Sequence, residues 1–102
     1  MRNIKIVALK GCNMCKELVS ELSKKDISYT IIDADSNSTF CDELEDSLGI
    51  YNYPIAIVDN FKYVYYYYLV SDYKDIKVKK ISPVAYLCGC YSIAGMIDNI
   101  LN

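Results

Sequence analysis

The sequence contains no histidine among its 102 residues. This absence excludes Cys-His and Ser-His-Asp catalysis, together with every metal site that uses an imidazole ligand. The sequence also has no apolar run that approaches the roughly 20 residues of a membrane-spanning helix. Residues 1–11 do not have the layout of a signal peptide. We therefore expect a soluble protein of the cytoplasm, without a membrane partner.

The balance of charge excludes another class of function. The chain has 11 basic and 13 acidic side chains and a net charge of −2, so no basic surface for nucleic acid is indicated. Its five cysteines are an odd number, which argues against the disulfide framework of a small secreted protein. The length suits a single domain, residues 1–102, with one modest hydrophobic core.

The most informative segment is residues 10–16, with the sequence KGCNMCK, which contains the CxxC pair Cys12 and Cys15. An apolar run at residues 4–9 precedes it and predicts a buried strand. Apolar residues recur after it at three- and four-residue spacing, namely Cys15, Leu18, Val19 and Leu22. The pattern therefore predicts a strand, a tight turn and an amphipathic helix that begins at the CxxC pair. In a reducing compartment, this arrangement is typical of a redox dithiol.

The two cysteines are expected to have different roles. A thiol reacts as its thiolate, and the unpaired N–H groups and the dipole at a helix N-terminus favour that anion. We therefore predict that Cys12, exposed at the start of the helix, is the nucleophile. Cys15, one turn further along on the apolar face, is predicted to be the buried resolving thiol. Cysteines three apart within a regular helix have Cβ atoms about 5–6 Å apart, too far for a disulfide, so Cys12 should cap the helix.

A second cysteine motif, Cys88 and Cys90, leaves an alternative open. Together with Cys12 and Cys15, it could form a zinc or iron–sulfur site with four thiolate ligands. Zinc knuckles usually lie on tight turns, whereas this CxxC pair lies at the start of a long amphipathic helix. We therefore favour the redox pair and expect no metal. The remaining cysteine, Cys41, is interpreted as a small core residue.

Patterns of apolar, aromatic and turn-forming residues predict the remaining elements. Strands are predicted at residues 28–33, 55–58 and 62–70. A helix is predicted to begin near Asn37 and to end at Gly49, because glycine suits the left-handed conformation that terminates helices. Another helix is predicted near the C-terminus, capped by Ser92. Residues 74–81 have the pattern of a returning strand, so residues 63–81 are expected to form an extended hairpin.

The predicted order of elements and four motifs resemble the glutaredoxins of the thioredoxin-fold superfamily. The motifs are the CxxC unit, Asp33-Ala34-Asp35 after the second strand, Tyr53-Pro54, and Cys88-Gly89-Cys90-Tyr91-Ser92 before the last helix. The resemblance implies an α/β thioredoxin-like fold. Its four-stranded mixed sheet, of order βαβαββα, would be flanked by helices, with the extended hairpin after the third strand. The chain departs from the family at Asn13-Met14, where Pro-Tyr is usual, and at Ser92, which replaces an aspartate.

This resemblance implies a thiol–disulfide oxidoreductase. Cys12 would attack a substrate disulfide, Cys15 would resolve the mixed disulfide, and glutathione or a thioredoxin-type reductase would regenerate the dithiol. Pro54 would be a cis-proline that faces the dithiol, and the helix N-terminus after Gly89 would receive the γ-glutamyl carboxylate of glutathione. The residues implied in glutathione binding are Lys10, Asn13, Met14, Tyr53, Pro54, Gly89, Cys90, Tyr91 and Ser92. The partners implied are glutathione and disulfide-containing proteins.

The tyrosine-rich run at residues 62–70 leaves a second class of function open. On the same fold, a binding protein could use this strand to contact a partner or a second copy of the chain, since an exposed edge with aromatic residues favours pairing. The alternative is that the tyrosines pack on one face of a twisted sheet and meet water on the other.

Overall fold

The computed structural model describes residues 3–71 and 78–101. These residues form a mixed β-sheet with helices packed on both faces. In chain order, the elements are β1 (Asn3–Ala8), α1 (Asn13–Lys24), β2 (Thr30–Asp33), α2 (Ser38–Leu48), β3 (Ile55–Asp59), β4 (Val64–Leu69), β5 (Val78–Lys80), β6 (Ala85–Cys90) and α3 (Ile93–Leu101). None of these described helices has the length and apolar character needed to span a membrane.

The sheet has six strands within the described residues, in the order β2-β1-β3-β4-β6-β5. β1 runs parallel to β2, while β3 is antiparallel to both β1 and β4. β6 is parallel to β4, and β5 is antiparallel to β6. The prediction of a four-stranded sheet is therefore wrong. The predicted order βαβαββα is present, but β5 and β6 are inserted between its last strand and its last helix.

The predicted hairpin over residues 63–81 is also wrong. β5 pairs with β6, where Lys79 lies opposite Leu87, and β6 separates β5 from β4. Burial explains this order, because Leu87 and Cys88 point to opposite faces of β6 and both are buried, as expected of an interior strand. All three residues of β5 are exposed, which suits an edge position. Residues 72–77, which include the start of the predicted returning strand, lie outside the described residues.

The core is divided between the two faces of the sheet. Helices α1 and α3 cover one face, where their apolar side chains pack on Leu69 of β4 and on Cys88 and Cys90 of β6. Helix α2 covers the other face with Cys41 and Leu44. The interpretation of Cys41 as a core residue is confirmed, because its side chain is buried. The sheet is thus held between helices, and the loops at one of its ends form the site described next.

Candidate active site

Cys12 lies at the turn that joins β1 to α1. β1 ends at Ala8, and the chain then reverses through Gly11, whose φ of 78° is in the left-handed region that glycine adopts without strain. The N–H of Cys12 donates to the carbonyl oxygen of Leu9 at 3.3 Å and closes the turn. Cys12 has extended backbone angles and is the N-cap of α1, as predicted. The first thiol therefore lies directly before the helix and not within it.

The thiols of Cys12 and Cys15 form the pair that the CxxC spacing predicts. Their sulfur atoms are at disulfide-bonding distance, with 5.3 Å between the two Cα atoms. The backbone N–H of Cys15 donates to the sulfur of Cys12 at 3.2 Å, and such a donor stabilises a thiolate. Cys12 is half-buried, and the expected burial of Cys15 is confirmed by its 3% exposure. The site thus has an accessible outer sulfur and a shielded inner one.

The loop before β3 brings Tyr53 and Pro54 next to the dithiol. The peptide bond between them is cis, as the resemblance implied. The carbonyl oxygen of Tyr53 lies 3.9 Å from the sulfur of Cys12, where it accepts a weak hydrogen bond from the thiol form. The ring of Tyr53 packs on the α2 side of the sheet. Burial raises the pKa of its hydroxyl to about 12, and a hydrogen bond with the Cys41 thiol acts in the same direction.

A carboxylate from the loop after β2 holds the start of the same turn. The backbone N–H of Lys10 donates to a carboxylate oxygen of Asp35 at 3.3 Å. The N–H of Asp35 donates in turn to the carboxylate of Asp33 at 3.0 Å. In the sequence, Asp33-Ala34-Asp35 served only as one of the motifs of the family resemblance, and no role was predicted for Asp35. A signal existed, because parallel β1 and β2 end at the same sheet edge, which brings the residues after them together.

Comparison with known families accounts for these features. The family model described as Glutaredoxin matches residues 4–64, which is more than half of the chain and includes both the dithiol and the Tyr53–Pro54 bond. The chain belongs to the glutaredoxin family. No curated protein matches the sequence. Membership of the family and the Cys12–Cys15 pair together support a thiol–disulfide oxidoreductase.

Two solved structures resemble part of this glutaredoxin. One is the thioredoxin-like protein BC3987, and the other is a point variant of it. The variant is 18% identical over 56% of this chain and 82% of its own, with a TM-score of 0.48. The parent protein is 16% identical over 56% of this chain and 84% of its own, with a TM-score of 0.48. A likeness at this level supports no statement about activity.

The residues implied in glutathione binding fall into two groups in this glutaredoxin. The first group lies in the dithiol segment and the loop that faces it, and consists of Lys10, Asn13, Met14, Tyr53 and Pro54. Lys10, Asn13 and Met14 are exposed, while Pro54 is buried beneath the facing loop. Contact between these residues and a molecule bound at Cys12 stays a prediction.

The second group lies at the end of β6 and the start of α3. Gly89 and Cys90 are buried in β6 and therefore lie within a strand, before the turn that leads to α3. Tyr91 is 53% exposed, and Ser92 is confirmed as a cap, because its Oγ accepts the N–H of Gly95 at 3.0 Å. β3 and β4 separate β6 from β1, so at about 4.8 Å per strand the second group is roughly 14 Å from the dithiol segment and roughly 10 Å from Tyr53 and Pro54, which precede β3. Glutathione binding by both groups stays a prediction.

Cys88 and Cys90 lie in the core beside α3, shielded from solvent. Their side chains are 5% and 3% exposed, and both are free thiols. Burial raises the pKa of Cys88 to about 11, with a smaller contribution from Cys90. Burial also raises the pKa of Cys90, although the amide of Asn99 donates to its sulfur at 3.3 Å and opposes that shift. Thiols that stay protonated are poor nucleophiles and poor metal ligands.

The alternative of a four-cysteine metal site is not supported by the placement of these thiols. Cys88 and Cys90 belong to β6, which lies three strands from β1, while Cys12 and Cys15 follow β1 directly. Within residues 3–71 and 78–101, no group of three or more cysteine, aspartate and glutamate side chains is placed to hold a metal ion. The insertion of β6 explains the separation, because it carries the second cysteine motif into the sheet.

Proposed function

We propose that this glutaredoxin reduces or exchanges disulfides by a dithiol mechanism, with Cys12 as the nucleophile and Cys15 as the resolving thiol. The observation that supports the proposal most directly is the arrangement of the pair. Cys12 is the half-buried N-cap of α1, and Cys15 is buried one turn further along at disulfide-bonding distance. An accessible sulfur and a shielded sulfur in reach of each other suit attack followed by resolution.

The proposed reaction begins with the reduced protein. The thiolate of Cys12 attacks one sulfur of a substrate disulfide, forms a mixed disulfide and releases the other substrate sulfur as a thiolate. The thiolate of Cys15 then attacks the sulfur of Cys12, forms the intramolecular disulfide and releases the second substrate thiolate. The substrate gains two electrons and the protein loses two, while the protons of the two cysteines end on the released thiolates.

Local structure supplies the stabilisation that the first step requires. The sulfur of Cys12 accepts the N–H of Cys15 at 3.2 Å and lies at the positive end of the helix dipole. A helix dipole stabilises a charge by up to about 2 kcal/mol, or roughly one and a half pKa units. Lys10 and Lys16, which flank the pair in the chain, add positive charge. Together, these groups favour the thiolate that the reaction needs.

The oxidised protein requires a reductant, which we propose to be glutathione or a protein reductase. Family membership supports glutathione. The separation of the implied glutathione residues into two distant groups supports a protein reductant. We also propose a cytoplasmic location, since a dithiol of this kind works in a reducing compartment.

A mixed-disulfide assay tests the function. Wild type, Cys12→Ser and Cys15→Ser are incubated with glutathione disulfide or with a disulfide-bonded peptide, and the products are identified by mass spectrometry. Cys15→Ser is expected to accumulate a mixed disulfide at Cys12, wild type to proceed to the intramolecular disulfide, and Cys12→Ser to form neither. Cys88→Ser is the matched control, because that thiol is buried in β6, three strands from β1. Unchanged turnover in Cys12→Ser would contradict the proposal.

We also propose that copies of the chain associate through the sheet edge at β5. Support comes from Val78, which is 72% exposed on an edge strand of the described sheet, because edge strands can pair with another chain. The tyrosines of β4, by contrast, are half-buried or buried. Tyr65 stacks on Tyr86 with 5.3 Å between ring centroids, which supports a packing role for these rings.

A further inference from the structure

A cavity of about 120 Å³ lies between the loop before Tyr53 and the end of β4. Its lining includes Tyr51, Asn52, Tyr68, Leu69 and Ser71. The side-chain amide of Asn52 donates to the carbonyl oxygen of Leu69 at 3.4 Å and ties the two walls together. A water molecule occupies roughly 30 Å³ in the liquid, so the volume corresponds to about four waters, or one side chain of the size of leucine. Among residues 3–71 and 78–101, none of those that line it is charged.

Strand register places this cavity next to the loop that faces Cys12. Extending the β3–β4 pairing, in which Ala56 lies opposite Tyr67, sets Leu69 opposite Pro54. β4 is two strands from β1, after which Cys12 lies, so the cavity and the nucleophile are roughly 10 Å apart. An extended polypeptide spans that distance with about three residues. A substrate cysteine at Cys12 would therefore bring one of its neighbours to the cavity.

The surroundings of the dithiol suit a polypeptide better than a small anion. Leu9 and Met14, on either side of Cys12, are 38% and 48% exposed, and Tyr51 at the cavity is 64% exposed. Each of these exposed apolar side chains is available for contact with a bound polypeptide. Glutathione instead has carboxylates on both sides of its cysteine. The described residues that line the cavity offer a carboxylate no cation, whereas Lys10 and Lys16 flank the dithiol itself. A carboxylate that loses water without gaining a partner binds unfavourably.

We propose that this cavity is a substrate pocket, which favours polypeptide disulfides with an uncharged side chain about three residues from the reactive cysteine over glutathione disulfide. The proposal rests on the dithiol function proposed above. The Cys12 thiolate bonds to the substrate cysteine, and the substrate S–S bond breaks with its electron pair leaving on the second sulfur. Cys15 then displaces the first substrate thiolate, so the substrate is reduced by two electrons and the protein is oxidised by two. The seated side chain orients the disulfide for attack.

Single-turnover reduction of synthetic disulfides measures this selectivity. Protein that has been reduced and then freed of reductant is mixed with peptide disulfides that differ at one residue, three positions before or after the cysteine. That residue is leucine, lysine or glutamate, and glutathione disulfide is tested alongside. We expect the leucine peptide to react about tenfold faster than the glutamate peptide or glutathione disulfide, because partial burial favours the apolar side chain and disfavours the carboxylate.

Two variants and a control test whether the cavity causes the preference. Tyr51→Ala removes one wall and is expected to reduce the preference to about threefold or less. Ser71→Lys adds a cation and is expected to speed reduction of the glutamate peptide and of glutathione disulfide. Phe61→Ala is the control, because Phe61 is 88% exposed on the β3–β4 turn at the opposite end of the sheet. It should leave the preference unchanged.

Three results would contradict the pocket. The first is equal reduction of the three peptides and glutathione disulfide by wild type. The second is faster reduction of glutathione disulfide than of every peptide. The third is a preference for leucine that persists in both Tyr51→Ala and Ser71→Lys. Failure of the dithiol function gives a different result, since neither the peptides nor glutathione disulfide would then form a mixed disulfide at Cys12.

Discussion

At the scale of single residues, the chemistry depends on how the chain holds one sulfur atom. Cys12 is fixed by its own N–H, which bonds Leu9, and its sulfur accepts the N–H of Cys15. The carboxylate of Asp35 binds the N–H of Lys10, two residues before the sulfur. The N–H donor stabilises a thiolate, whereas a nearby carboxylate destabilises it. The acidity of Cys12 is therefore a balance that a change at Asp35 can shift.

Replacing Asp35 by asparagine is expected to make Cys12 more acidic. Asparagine keeps an oxygen that can accept the N–H of Lys10 but removes the negative charge, so the pKa of Cys12 should fall by roughly a few tenths of a unit. Alkylation rate against pH, measured in a Cys15→Ser background, reports the Cys12 thiolate. In Cys15→Ser with Asp35 unchanged, the helix N-terminus should already lower the midpoint of alkylation below the value of an ordinary cysteine, which is about 8.5.

Asp46→Asn is the matched control for this measurement, because Asp46 is exposed on α2 and its loss removes the same charge. It should leave the midpoint unchanged. A background midpoint at or above about 8.5 would contradict activation by the helix N-terminus. The same midpoint with and without Asp35→Asn would instead show that the carboxylate has no influence on the thiolate.

At the scale of elements, the insertion of β5 and β6 changes what β4 and α3 pack against. Tyr65 of β4 stacks on Tyr86 of β6, with 5.3 Å between ring centroids, and on Tyr67 at 6.1 Å. On the same face, Cys88 and Cys90 of β6 pack in the core with α3. β6 therefore covers the edge of β4 and partly buries its aromatic rings, and it adds its own thiols to the core.

The free energy of unfolding is expected to fall at high pH because of Cys88 on β6. Burial raises the pKa of its thiol from the ordinary 9.0 to about 11 in the folded protein. Below the ordinary value the thiol is neutral in both states, and its contribution to stability is complete. Between the two values only the unfolded chain loses the proton, which favours unfolding. A shift of this size corresponds to roughly 2–3 kcal/mol, lost once the pH exceeds the folded pKa.

Urea unfolding of wild type and Cys88→Ala over the alkaline range measures this contribution. The variant should be less stable at neutral pH, by about 1 kcal/mol, because it leaves a small cavity. It should then lose less stability as the pH rises, whereas the other titrating groups act equally in both proteins. Parallel pH dependences of the two proteins would contradict a raised pKa at Cys88.

At the scale of the whole molecule, the described sheet ends in two edges, β2 and β5. β5 contains exposed Lys79 and Lys80 beside Val78. Charged side chains at a sheet edge oppose pairing with another chain. We therefore expect self-association through β5 to be weak in wild type and stronger when both lysines are neutralised.

Light scattering over a concentration series tests this expectation with Lys79→Gln/Lys80→Gln. The double variant should form dimers at lower concentration than wild type. The control is Lys24→Gln/Lys25→Gln, which removes the same charge at the C-terminal end of α1. Monomers at every concentration in all three proteins would mean that this edge is not an interface.

The sequence by itself determined the local part of the site. Cys12 at the N-cap, Cys15 buried on the helix face, and Gly49 in the left-handed conformation that ends α2 were all predicted correctly. Each depends on residues only a few positions apart, whose types and spacing decide where a helix starts, which face it buries and where it ends. Family resemblance added the cis bond before Pro54, which no local pattern of this chain specifies.

Only the tertiary structure decided which distant segments adjoin the dithiol. The residues of β6 are apolar toward both faces, so their pattern indicates a buried strand but not the strand with which it pairs. Because β6 pairs with β4, Gly89 lies three strands from β1 and thus away from Cys12. The bond between Lys10 and Asp35 joins residues 25 positions apart. The cavity likewise needs β4 to lie beside the loop before β3. Such contacts depend on how the whole sheet is ordered and covered, whereas local patterns specify only each strand's faces.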